Sequence, residues 1–128
     1  AIIDTEAGNL DAAEAKFEKI TELYPESEKA YFFLGRLFYE KGDYAAAEAS
    51  YKKALEINPG FGSALVELAI VYEQQGRMKE SEQIYRDVIV LYPNSLESYV
   101  RYGNFLFRVN RVEDAREQFE KAETLDYQ

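Results

Sequence analysis

The sequence contains no cysteine and no histidine among its 128 residues. Their absence excludes the usual zinc ligands, thiol nucleophiles and the histidine-dependent dyads of hydrolytic enzymes. It also excludes disulfides, so cysteine usage does not distinguish a reducing cytosol from an oxidising periplasm. We therefore expect a protein that is not an enzyme and that carries no cofactor and no metal site.

Basic residues are also scarce. Lysine and arginine number 15 against 24 aspartates and glutamates, which gives a formal net charge of -9. This balance disfavours a nucleic-acid backbone or an anionic membrane surface as the main partner. No apolar run reaches the roughly 18 to 20 residues that a membrane span needs, and the first residues lack the basic start and apolar run of a signal peptide. We expect no nucleic-acid partner and no direct membrane insertion.

What the sequence does contain is an internal repeat with a step of 34 residues. Three kinds of position recur in phase: a proline near the end of a unit, a glycine or asparagine within the unit, and an aromatic residue. These columns are Pro25, Pro59 and Pro93; Gly8, Gly42, Gly76 and Asn110; and Phe17, Tyr51, Tyr85 and Phe119. A fixed period of this length indicates units that each bury an apolar face only against their neighbours.

Each unit has the pattern of two amphipathic helices. Apolar residues recur at spacings of three and four before and after Gly42. Gly42 favours a left-handed helix stop, and Asp43 is a suitable N-cap for the next helix. Proline disfavours a helical residue before it and so ends the second helix. The predicted helices span 11–24, 29–41, 44–57, 63–75, 78–92, 97–109 and 112–126, preceded by a short helical stub at 2–7.

Small residues recur where the two helices of a unit are expected to meet. Gly35 and Gly103 lie on first helices, and we expect Ala47 and Ala115 to lie opposite them on the second helices. A large side chain at either glycine would force the pair apart.

This unit resembles the tetratricopeptide repeat. The matching residues in the unit 28–61 are Tyr31, Leu34, Gly35, Phe38, Ala47, Tyr51, Ala54 and Pro59. The resemblance implies an all-α fold, an α-solenoid of antiparallel helix pairs in a right-handed superhelix. It further implies a single domain with a partial repeat at 1–27 and three full repeats at 28–61, 62–95 and 96–128. Because the chain begins with alanine partway through a repeat, we interpret it as a fragment of a longer protein.

The resemblance also implies a binding surface, because in this family the first helices line a concave groove. The corresponding partner-binding residues here are Phe32, Arg36, Tyr39, Val66, Ile70, Glu73, Arg101, Asn104, Phe107 and Arg108. They combine apolar and aromatic side chains with charges of both signs, and aromatic residues and arginine are enriched at binding hot spots. We predict a non-catalytic scaffold that binds a peptide or helix of a protein partner. The alternative for Phe32 and its neighbour Phe33 is that they complete contacts between successive first helices.

Two other functions remain open. Val112, Phe119 and Leu125 keep an apolar face on the last helix with no following unit to cover it, and repeat stacks need capped ends for solubility. This favours self-assembly into a homo-oligomer through terminal helices. The chain is also compatible with a regulatory arm of a larger enzyme.

Overall fold

The computed structural model describes residues 2–126, with side chains described for residues 9–126. In these residues the chain forms α-helices joined by short turns, and no β-strand occurs. The helices are α1 (Ile2–Leu23), α2 (Glu28–Glu40), α3 (Tyr44–Ile57), α4 (Gly62–Gln74), α5 (Met78–Leu91), α6 (Leu96–Arg108) and α7 (Val112–Asp126). The predicted all-α class is confirmed. Helices α2 to α7 begin and end within one residue of the predicted bounds.

The N-terminal helix differs from the prediction. A stub at 2–7 and a second helix from residue 11 were expected, whereas α1 runs without a break from Ile2 to Leu23. The break was expected at Gly8, in the column of the turn glycines. Glycine permits the left-handed conformation but does not impose it.

The turns inside the helix pairs form at the glycine and asparagine positions that the sequence predicted. Gly42, Gly76 and Asn110 have φ values of 81°, 75° and 68°, the left-handed region in which glycine and asparagine are tolerated best. After Gly42, the backbone N–H of Asp43 donates to the carbonyl of Phe38 at 2.9 Å. This is the 6→1 bond of a Schellman stop. The Asp43 carboxylate then accepts from the N–H of Ala46 at 3.2 Å and caps α3.

The chain divides into two compact units, Ala1–Arg77 and Met78–Gln128. In the first unit α2 packs against α1, α3 and α4, and α3 also packs against α4. Its centre is Tyr51, which is fully buried and lies against Gly35. A Cβ atom at Gly35 would lie 2.7 Å from Cε1 of Tyr51. Gly35 therefore allows α2 and α3 to approach closely, but its nearest neighbour is this ring rather than the expected Ala47.

In the second unit α6 packs against both α5 and α7. Phe105 and Leu106 are almost fully buried, and the Phe105 ring lies 5.3 Å from the ring of Tyr85. Gly103 repeats the arrangement of Gly35, because a Cβ atom there would lie 2.5 Å from Cε1 of Phe119. In both units the glycine of a first helix lies against the aromatic ring of the second helix. The single domain and the bounds of the individual repeats stay predictions.

Candidate partner-binding site

The predicted partner-binding residues fall on first helices in both units. We call the part in the first unit the α2/α4 face. It comprises Phe32, Arg36, Tyr39, Val66, Ile70 and Glu73. The remaining predicted residues, Arg101, Asn104, Phe107 and Arg108, all lie on α6 in the second unit.

Phe32 is the base of the α2/α4 face rather than an exposed contact. It is only 9% exposed. Its ring centroid lies 5.5 Å from that of Phe33, 5.9 Å from that of Tyr51 and 5.1 Å from that of Phe61, the residue just before α4. Val66 is equally buried on α4. These apolar side chains join α2, α3 and α4 and hold the more exposed residues of the face in place.

Arg36 and Tyr39 are more accessible to a partner. Arg36 is exposed, and its guanidinium carbon lies 5.9 Å from the centre of the Phe32 ring, within the range of a cation–π contact. Tyr39 is half-buried beside Tyr44, with ring centroids 5.4 Å apart. Burial and the neighbouring Tyr44 raise the pKa of Tyr39, despite a side-chain hydrogen bond with Gln74 at the end of α4. Tyr39 is therefore a neutral phenol at physiological pH and links α2 to α4.

The α4 side of this face adds an apolar side chain and carboxylates. Ile70 and Glu73 are both half-buried, as is Glu67 one turn earlier. Both glutamates lie close enough to Tyr39 to contribute to its raised pKa. The α2/α4 face thus offers a guanidinium, a phenol and carboxylates above an apolar base. Such a surface can donate and accept hydrogen bonds and pair with charges of either sign.

On α6 the predicted residues are exposed. Arg101 is held by Glu97 one turn earlier, with its Nε donating to Oε1 at 2.9 Å. Asn104 and Arg108 are exposed, and Phe107 has 62% of its surface accessible. Phe107 is thus an exposed apolar side chain among exposed polar ones. These residues therefore form an accessible surface on α6 of the second unit.

A series of ion pairs was not predicted from the sequence. Glu14, Glu48 and Glu82 lie 34 residues apart on α1, α3 and α5. Each binds a cation that lies just after the next first helix. The Lys41 Nζ lies 2.9 Å from Glu14 Oε2, the Arg77 Nη1 lies 2.8 Å from Glu48 Oε1, and the Arg111 Nη1 lies 2.8 Å from Glu82 Oε2. The recurrence of glutamate at the same repeat position was the sequence signal that could have indicated these contacts.

Glu82 is the best connected of the three. Its carboxylate accepts a hydrogen bond from the Tyr102 hydroxyl at 2.6 Å in addition to those from Arg111. Burial by itself would raise the pKa of Glu82, but the hydrogen bonds from Tyr102 and Arg111 outweigh it and hold this pKa below its usual range. The ionised carboxylate therefore contributes to the packing of α5 against α6.

The face formed by α6 and α7 contains an open concavity of about 340 Å³. Phe107, Val112 and Phe119 supply its apolar wall, and Arg116 and Glu120 line it as well. Val112 is 43% exposed. The concavity therefore combines apolar and charged side chains on α6 and α7.

Other kinds of site find no support in the residues that the structure describes. No cluster of three or more acidic side chains within residues 9–126 could hold a metal ion. Among the helices of residues 2–126, none combines the length and the apolar character needed to cross a bilayer.

Comparison with known proteins places these features in a family. Sequence models described as tetratricopeptide repeat match residues 5–61, 38–99 and 96–128. A search of curated proteins gave no match. Similar solved structures include two crystal structures of MamA, each 22% identical and with a TM-score of 0.80, in which 96% of this chain aligns with 72% and 67% of the other chain. A MamA double mutant is 19% identical, with a TM-score of 0.78 over 96% of this chain and 69% of that one.

At these identities the MamA structures establish likeness of fold alone. The three sequence models together extend from residue 5 to residue 128. This fold is typically a non-catalytic scaffold for protein interactions, in agreement with the exposed polar and aromatic residues described above. The chain belongs to the tetratricopeptide repeat family.

Proposed function

We propose that this chain is a non-catalytic scaffold that binds a segment of a protein partner through the exposed residues of its first helices. The observation that carries the proposal is the α2/α4 face. There the exposed Arg36 guanidinium lies over the buried Phe32 ring, and Tyr39 and Glu73 lie on the same face. Arginine and tyrosine above a fixed apolar base are typical of the few residues that dominate binding energy.

The buried position of Phe32 assigns it a supporting role. A partner segment would contact Arg36, Tyr39, Ile70 and Glu73, while Phe32 keeps α2 and α4 in register beneath them. On α6, Asn104, Phe107 and Arg108 would form a second contact surface. Charges of both signs favour a segment that itself carries both acidic and basic residues.

The test must separate loss of binding from loss of folding. Replacing Phe32 by glutamate would place a charge within the ring cluster and would unfold the unit. Arg36→Glu changes an exposed residue instead. Lys53→Glu is the matched control, because Lys53 is also an exposed cation on a helix of the same unit and the change in charge is identical.

Wild type and both variants are immobilised and exposed to lysate of the source cell, and retained proteins are identified by mass spectrometry. We expect a protein that is retained by wild type and by Lys53→Glu but lost from Arg36→Glu, with unchanged helical circular dichroism in all three. Equal retention by all three chains would refute binding at the α2/α4 face. The same comparison between Arg108→Glu and Lys121→Glu tests the α6 surface.

A further inference from the structure

The charged residues of α4 are all acidic. They are Glu67 and Glu73, and the helix contains no lysine or arginine. Glu67 is half-buried, yet none of the lysines and arginines that the structure describes forms an ion pair with it. The glutamates of the second helices differ, since Glu48 and Glu82 are each bound by an arginine. A half-buried carboxylate without a cation is costly, and a cation supplied by a partner would offset that cost.

A second unpaired polar group lies beneath the same face. The Tyr51 side chain is fully buried, and its hydroxyl has no hydrogen-bond partner among the described residues. Its ring lies against Gly35, which is three and four residues from Phe32 and Tyr39 and so shares their side of α2. A Cβ atom at Gly35 would lie 3.0 Å from Cζ of Tyr51, the ring carbon that carries the hydroxyl. The hydroxyl end of the ring therefore reaches α2 beneath the α2/α4 face.

Charged groups of both helices act on the Tyr51 hydroxyl. Burial is the main reason that its pKa is raised, and Glu67 raises this pKa further, whereas Arg36 lowers it. The hydroxyl is therefore close to a carboxylate of α4 and to the guanidinium of α2. A neutral hydroxyl can accept one hydrogen bond while it donates another. Together with Glu67 it forms a pair of acceptors for a donor that enters from the α2/α4 face.

The donor that fits these two acceptors is a lysine side chain. An ammonium donates three hydrogen bonds, accepts none and carries the positive charge that would balance Glu67. Because the hydroxyl lies below the surface, the donor must be at the end of a long and narrow side chain, which favours lysine over the wider, planar head of arginine. A carboxylate of the partner would instead be repelled by Glu67 and Glu73. We propose that the α2/α4 face binds a lysine of the partner segment, with its ammonium donating to the Glu67 carboxylate and to the Tyr51 hydroxyl.

The lysine site rests on the proposed function and assigns the charges of the bound segment. Its lysine lies beside α4, while an acidic side chain of the same segment pairs with the exposed Arg36 on α2. The site also gives the Tyr51 hydroxyl a role, since Phe17 and Phe119 occupy the same repeat position without one. A group that lowers stability in the unbound protein and contributes to binding is typical of functional sites.

Peptide selection can test the site before the partner is known. A phage-displayed library of random peptides of about 12 residues, which span about 40 Å when extended, is selected on the wild-type chain. We expect the enriched peptides to share a lysine at one position. The affinity of one enriched peptide, synthesised without the phage, is then measured by isothermal titration calorimetry. It is compared among wild type, Glu67→Gln, Tyr51→Phe, Arg36→Glu and Glu56→Gln.

Loss of the charge in Glu67→Gln should weaken binding about 10-fold, and loss of the hydroxyl in Tyr51→Phe about 5-fold. Tyr51→Phe keeps a buried ring, so it should bind more weakly while it melts no lower than wild type by circular dichroism. A merely structural role would not give this combination. Glu56→Gln is the matched control and should bind like wild type, because Glu56 is an exposed glutamate on α3 of the same unit.

A change in the peptide shows whether its lysine contacts Glu67. Replacing that lysine by norleucine should weaken binding to wild type about 10-fold and binding to Glu67→Gln by much less, because residues in contact do not act additively. Equal effects on both chains would place the lysine elsewhere and overturn the site. Equal affinity of Tyr51→Phe and wild type would remove the hydroxyl from it.

The remaining outcomes distinguish the lysine site from the proposed function. Peptides that lose affinity for Arg36→Glu but share no lysine, or that bind Glu67→Gln as tightly as wild type, would overturn the lysine site and leave the scaffold function standing. Arginine at the shared position would refute the choice of a narrow side chain. No enrichment of any peptide on wild type would overturn both the lysine site and the binding of a segment at this face.

Discussion

Replacing Tyr51 by phenylalanine should stabilise the protein. Tyr51 is fully buried, and its hydroxyl has no hydrogen-bond partner among the residues that the structure describes. Burial raises the pKa of this phenol, so the group stays neutral. Its ring packs against Phe32 and Gly35 through carbon atoms that phenylalanine retains.

The size of the effect follows from the cost of an unpaired polar group. Burying a hydroxyl without a partner costs about 1 to 3 kcal/mol. Replacing Tyr51 by phenylalanine removes this cost, and the space left by the missing oxygen is too small to offset the gain. We therefore expect about 1 kcal/mol of added stability. For a chain of this length the melting temperature should rise by about 4 °C. Phe17 and Phe119 occupy the same repeat position, which shows that a phenylalanine ring suits it.

Tyr102→Phe provides the matched control. The Tyr102 hydroxyl donates to Glu82 and accepts from Arg86, so its loss should destabilise the chain by about 1 to 2 kcal/mol. Both variants are compared with wild type by thermal and urea unfolding. Destabilisation by Tyr51→Phe equal to that by Tyr102→Phe would refute the reasoning and show that the Tyr51 hydroxyl is hydrogen-bonded in solution.

Three further predictions follow from close packing, backbone strain and charge. Gly35→Leu should cost about 1 to 3 kcal/mol in urea unfolding, because even a Cβ atom would overlap the buried Tyr51 ring; an unchanged midpoint would contradict the close approach of α2 and α3. Asn110→Val should lower the free energy of unfolding by about 1 to 2 kcal/mol, because residue 110 has a φ of 68°. Asn110→Gly should not lower it. Equal losses of stability in the two variants would indicate that the asparagine side chain itself contributes. The pKa of Glu82 is depressed in the folded state, so the stability that this carboxylate contributes is present above the ordinary carboxyl pKa and is lost as the pH falls through the lower folded value. Between about pH 6 and pH 3, urea unfolding of Glu82→Gln should therefore show a smaller loss of stability than that of wild type. Identical profiles of stability against pH would refute this contribution.

The helices were predictable because their boundaries are local. Glycine or asparagine at the left-handed position, Asp43 at an N-cap and proline after a second helix each act on the residues beside them. At Gly8 the local signal was misleading, because glycine permits the left-handed conformation without imposing it. The turn expected at Gly8 is absent, and α1 is continuous.

The candidate site was less predictable than the fold. Helical periodicity correctly assigns Phe32, Arg36 and Tyr39 to one side of α2, but it does not give the depth of each side chain. Phe32 is buried because Phe61, 29 positions further along the chain, packs back on it. The ion pairs of the glutamate column were missed for the same reason, because their partners are 27 or 29 residues away and depend on how the helices pack.

The contact between Lys41 and the first helix makes the attachment of α1 sensitive to ionic strength. Helix α1 packs against α2, where Phe17 stacks on Phe33, and Lys41 lies 2.7 Å from Asp11 and 2.9 Å from Glu14. Added salt screens such partly exposed charges but leaves the ring contact intact. At high salt α1 should detach more often while α2 and α3 stay packed, so its amide hydrogens should exchange with solvent faster than theirs. Ionic strength would then control how often the side of α2 that α1 covers becomes exposed to solvent.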